Sequence, residues 1–228
     1  MNDFTLGLAV YDFVPVILTG IAVYYVAGMV RVLGVPMSKF AYLGAVLVFA
    51  AGVSKATWKL NATLTGQDLD WLANLLFPLM APGFALLAAG IWGAGRALRE
   101  KTSPGWLWLV PMVAICIAFA TAAYRLSADI ERGWFLPIMT LTSLSNIVLT
   151  ILLFTMAWRQ GQRILAALFT VNLAMVFALI PIAQMESFSI AMHWFEQTLT
   201  AIGAAAFAYA AYRFFHSLFP FHRPSSSA

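Results

Sequence analysis

Residues 192–197 read MHWFEQ and lie inside a long apolar run. His193, Glu196, Gln197 and Thr200 fall at i, i+3, i+4 and i+7, so on a helix they form one stripe. A histidine and a carboxylate at this spacing suit three kinds of chemistry. They can ligate a metal from one helix face, relay a proton near neutral pH, or hold a polar ligand. The metal reading lacks donors. His216 and His222 sit a long way down the chain, and carboxylates would have to come from Asp12 or Glu186 on other segments. The histidine-rich set that zinc favours is missing, and neither a metal nor another cofactor is expected. The chain also has no G-x-S-x-G elbow, no H-E-x-x-H pair and no phosphate-cradling glycine loop, so no enzyme class is assigned.

The elements that must carry these residues follow from composition. Of 228 residues, 62% are hydrophobic and 10% charged, with a mean hydropathy of +0.86. This is far from the soluble average and indicates a membrane protein. Taking about 20 apolar residues per crossing, seven segments stand out: 6–30, 38–60, 71–95, 106–126, 135–158, 164–185 and 188–214. Short turn-rich connections such as NATLTGQD, REKTSPG and SADIERG separate them. The alternation of a barrel strand is absent, so the fold class is all-α, a polytopic seven-helix bundle. One transmembrane domain over 1–218 and a short tail over 219–228 are expected.

The N-terminus carries Asp3 and Asp12 and no base, unlike a cleavable signal peptide, so the first segment is expected to be retained. Cys116 is alone, which excludes an internal disulfide, and reads as a small buried hydrophobe. The net charge of +4 is dispersed rather than gathered in a basic tract, which argues against nucleic acid. The expected partners are the bilayer and a small-molecule ligand, with partner chains or a homo-oligomer left open. The bases also orient the bundle. Arg31, Lys39, Arg96, Arg99, Lys101, Arg159, Arg163, Arg213 and Arg223 gather at one set of ends. The positive-inside rule makes that side cytoplasmic and the N-terminus external, in a plasma or bacterial inner membrane.

Ionisable residues within a membrane are costly, about 2.5 to 3.5 kcal/mol each at the centre, so their depth is informative. Asp12, Lys55, Asn74, Arg125, Asn146, His193, Glu196 and Gln197 all fall toward the outer half of their segments. The inner half is nearly apolar, with Asn172 the deepest exception. These eight residues are expected to line one outward-facing ligand pocket. Asp12 needs a cation, and Lys55 or Arg125 is the expected partner. Lys59 reads as snorkelling to the interface. Arg125, Asp129, Glu131 and Arg132 also have a simpler reading as a solvated loop. Trp71, Trp106, Trp108, Trp134 and Trp158 read as interfacial belts.

Shifting the third segment by 123 residues aligns Trp71 with Trp194 and Asn74 with Gln197, a weak parallel repeat of the 3+1+3 kind. In topology this resembles the SWEET and PQ-loop carriers, which implies amides that hydrogen-bond a solute. DLDW at 68–71 resembles the acidic-tryptophan pair in the third helix of microbial rhodopsins, but the last segment has no lysine for a Schiff base. A transporter of a small polar or amphipathic molecule is the leading expectation. A membrane-embedded enzyme acting on a lipid or lipid-linked substrate, with His193 as base, is the alternative. An accessory or sensor subunit is the third reading.

Overall fold

The computed structural model describes residues 5–183 and 190–218, with side chains over 5–178 and 191–218. Within these residues the regular elements are all helices, joined by turns, with no strand. The helices are α1 (Leu6–Tyr11), α2 (Phe13–Val32), α3 (Lys39–Thr65), α4 (Asp70–Asn74), α5 (Leu76–Ala97), α6 (Leu109–Ser127), α7 (Phe135–Arg159), α8 (Arg163–Ala183) and α9 (Ile190–Ser217). Glu186, Gln184 and the tail after residue 218 lie outside the described residues.

α1 and α2 are one rod interrupted at Asp12, and α4 and α5 are another interrupted at Leu75. The cause is the same in both. Pro15 and Pro78 each stand three residues after the break. A proline donates no hydrogen bond to the carbonyl four residues back and clashes with it, here that of Tyr11 or Asn74. Pro111 and Pro137 sit in the first turn of α6 and α7, where the missing donor is not needed. The aligned repeat has no such break in α9, which runs continuously, because Ala201 stands where Pro78 would map.

Five rods are long and apolar enough to cross a membrane: Leu6–Val32, Lys39–Thr65, Asp70–Ala97, Leu109–Ser127 and Phe135–Arg159. The protein is therefore a membrane protein. α2, α3, α5, α7, α8 and α9 pack in that order into a closed ring, with α2 touching α9 and also reaching α5 across the middle. α6 lies outside the ring against α5 and α7. Cys116 on α6 is consequently exposed, contrary to the expectation of burial. Trp108 is buried and donates to the Pro36 carbonyl at 2.9 Å, which ties two loops together and corrects its reading as part of a belt. Trp71, Trp106 and Trp158 are exposed.

The arginine-rich half of the ring is filled by one apolar core that includes Val26, Met29, Leu87, Ile91, Leu153, Phe169 and Phe214. Asn172 packs against Gly203 of α9. α3 and α5 meet at Gly44 and Gly83, where backbone faces backbone. A Cβ on Gly83 would stand 2.9 Å from the Gly44 carbonyl oxygen, and one on Gly44 would stand 2.7 Å from that of Gly83. Small residues of this kind let membrane helices approach closely. Gly83→Ala is expected to destabilise the protein by about 1 to 3 kcal/mol through overpacking. Gly105→Ala, where nothing lies within 4 Å, is expected to be neutral. Thermal unfolding of both variants in detergent measures the difference.

Candidate functional site

The break at Asp12 places a carboxylate between α1 and α2, facing α3. Lys59 Nζ lies 2.7 Å from Asp12 Oδ2, and the two residues are only 6% and 5% exposed. This corrects two expectations at once: Asp12 pairs with Lys59 rather than Lys55 or Arg125, and Lys59 is buried rather than snorkelling. The energetics explain why one charge cannot sit there without the other. Attraction at this separation is about 6 kcal/mol at an effective dielectric near 20, while desolvation takes several kcal/mol from each ion. The pair nearly balances, and either ion alone would not. Asp12 Oδ1 is buried with no hydrogen-bond partner among the described residues, which adds to the cost of the arrangement.

A second stripe of α3 holds the neighbouring connection in place. Ser54, Trp58, Asn61 and Thr65 recur at i, i+4, i+7 and i+11, on one face. The Ser54 hydroxyl donates to the Leu72 carbonyl at 2.6 Å, Trp58 Nε1 to Asp68 Oδ1 at 2.6 Å, and Asn61 Nδ2 to the Gln67 carbonyl at 3.0 Å. Thr65 Oγ1 accepts from the Gln67 N–H at 3.1 Å. The acidic-tryptophan stretch at 68–71 is thus partly used as a clasp, with Asp68 holding Trp58. The clasp fixes α4, and with it Asn74, beside Lys55 and Lys59.

Between these elements is a cavity of about 340 Å³, a size suited to a small ligand. α3 contributes Lys55, Trp58 and Lys59; α4 and α5 contribute Asn74 and Phe77; Trp134 and Phe135 come from the start of α7; α9 contributes His193 and Glu196. His193 Nδ1 stands 3.9 Å from Glu196 Oε2. Lys55 is exposed to the cavity and has no ion pair within 4.0 Å among the described residues, although Glu196 and Asp12 act on it through space. α1 closes the side next to α9, where Tyr11 and Trp194 pack at 5.4 Å between ring centroids. The arrangement offers a free ammonium, an amide, a histidine-carboxylate pair and aromatic walls.

Of the eight residues singled out from the sequence, Lys55, Asn74, His193 and Glu196 line this cavity, and Asp12 touches it through Lys59. Arg125, Asn146 and Gln197 are not in its lining. Arg125 is carried on α6, outside the ring, and its Nε is buried without a hydrogen-bond partner among the described residues. Asp129, Glu131 and Arg132 beyond it are exposed. Asn146 is eleven residues past Phe135, about 17 Å farther along α7. Gln197 is half-buried on α9. Lys59 and the aromatic walls escaped the sequence reading. Lys55 and Lys59 one turn apart did signal a shared face, but only the position of Asp12 shows which lysine is neutralised.

Among the described residues no group of three or more His, Cys, Asp and Glu is placed to hold a metal ion. No known protein family, curated protein or solved structure matches the chain.

The ion pair makes a sharp prediction. Asp12→Asn and Lys59→Met are each expected to cost about 3 to 5 kcal/mol, because each strands a buried charge. The double variant is expected to recover most of that loss. A double-mutant cycle by denaturant unfolding in detergent measures the coupling.

Proposed function

We propose that the protein binds a small amphipathic molecule carrying an anionic group, and that it carries this molecule across the membrane. The observation that supports this most is the convergence of Lys55, Asn74, His193 and Glu196 on one aromatic-walled cavity. Lys55 is the cation left for a ligand once Lys59 is neutralised by Asp12. Asn74 supplies both donor and acceptor. His193 and Glu196 recognise a donor or proton on the ligand, and Trp58, Phe77, Trp134 and Phe135 cover its apolar part. In this reading all seven rods span the bilayer, the N-terminus is external and the cavity opens outward, as the placement of the basic residues supports. The breaks at Asp12 and Leu75 are the natural hinges for a change of access, since interrupted helices at a binding site are a recurring transporter device.

One observation favours a second reading. The apolar core that fills the other half of the ring leaves a cup with a solid floor, which suits an enzyme that takes a lipid-linked substrate from one side. His193 is then the general base and Glu196 its partner.

Thermal-shift measurement of the purified protein with short-chain carboxylates, alkyl phosphates and zwitterionic amphiphiles tests the binding claim. At least one anionic amphiphile is expected to stabilise wild type, with the shift lost in Lys55→Ala and reduced in Glu196→Ala. Absence of any stabilising compound, or equal shifts in Lys55→Ala, refutes it.

A further inference from the structure

A second cleft lies farther along α5 and α7, where α6 leans on the ring. It has a volume of about 370 Å³ and runs between α5, α6 and α7. Alanines of α5 and α6 line it together with leucine and valine side chains such as Leu107, Leu141 and Leu144, and Trp92 and Trp106 lie against each other in its wall with centroids 5.4 Å apart. Small residues on facing membrane helices ordinarily bring the backbones together. Here α5 and α7 pack closely, but α6 stands off from both and the space remains between it and them. The cleft is open sideways to the bilayer past Val110 and Val148, which are exposed. It is separated from the ionic cavity by a packed cluster of Ala81, Ala122 and Ile138 with Phe77 and Trp134.

One polar side chain lines this cleft. Ser145 is 8% exposed and has no hydrogen-bond partner among the described residues. Its neighbours on the same helix behave differently. Thr140, Thr142 and Thr155 each donate to the carbonyl four residues back, at 2.7 to 2.9 Å. The Ser145 hydroxyl does not, and instead lines an otherwise apolar space. A saturated acyl chain filling the cleft would leave that hydroxyl desolvated and unbonded, an unfavourable state. A ligand with one acceptor at the right place satisfies it.

We propose that this cleft is a binding site for a membrane-dissolved ring compound bearing a carbonyl acceptor, the chemical class of the quinones. The Trp92–Trp106 pair offers aromatic faces on which a planar ring stacks, Ser145 donates to the carbonyl, aliphatic side chains cover the rest of the ligand, and the lateral opening admits a ligand dissolved in lipid. The proposal concerns binding only and is independent of the reading of the ionic cavity.

The test uses the full chain in lipid nanodiscs, titrated with decylubiquinone while tryptophan fluorescence is followed. Saturable quenching is expected in wild type. Ser145→Ala is expected to bind about five-fold more weakly, the loss of one neutral hydrogen bond. Ala114→Leu, on the peripheral helix, is expected to abolish binding by filling the cleft. Dodecane, which has no acceptor, is expected not to compete, and palmitate, whose acceptor sits on a flexible chain without a ring, is expected to compete far more weakly than decylubiquinone. No saturable quenching, unchanged affinity in Ser145→Ala, or equal competition by palmitate overturns the proposal. The last of these outcomes leaves an ordinary lipid furrow.

Discussion

A carboxylate and an ammonium shut away together inside an apolar bundle constrain everything around them. Asp12 and Lys59 are almost wholly buried and too close to be independent. Each makes the other tolerable, and their union joins the α1–α2 junction to α3. Such a pair contributes little net stability, because attraction and desolvation nearly cancel. Its consequence is geometric: α3 must present Lys59 inward at that level. Lys55, one turn away on the same face, is then carried to the cavity without a counter-ion of its own among the described residues.

The rest of the site follows from how backbone groups are satisfied. Proline at 15 and at 78 breaks two rods near the same end of the bundle. The first break exposes the position from which Asp12 reaches Lys59. The second turns the chain so that Asn74 faces the cavity, while Ser54, Trp58 and Asn61 hold the incoming segment by three hydrogen bonds. α9 contributes differently, as an unbroken helix whose His193 and Glu196 share a face by simple periodicity. At the opposite end the ring is closed by apolar packing and by loop contacts such as the Arg96 guanidinium, which donates twice to the Thr102 carbonyl at 3.1 Å.

Much of this was legible in the residues, for identifiable reasons. Apolar length and turn-rich connections marked the helices, whose ends lie within a few residues of the expected segments where both are described. The cost of placing charge in lipid grouped Lys55, Asn74, His193 and Glu196, and these four line one cavity. What stayed hidden depends on which helix neighbours which. Nothing in the order of segments reveals that α6 stands outside the ring, so Arg125 was grouped with the site and Cys116 with the core. Hydropathy gives depth but not azimuth, and for that reason Asn146 and Gln197 looked equivalent to residues that line the cavity. The choice between Lys55 and Lys59 as the partner of Asp12 rests on one helical turn, below what segment boundaries resolve.

Two lysines one turn apart on the wall of one cavity have opposite fates: Lys59 is buried against Asp12, and Lys55 is exposed with no carboxylate at ion-pair distance among the described residues. Reductive methylation of the folded protein in detergent, read by mass spectrometry of the peptide carrying both residues, separates them. Lys55 is expected to be modified readily, and Lys59 only after unfolding. Equal modification of both in the folded protein, or faster modification of Lys59, would contradict the account.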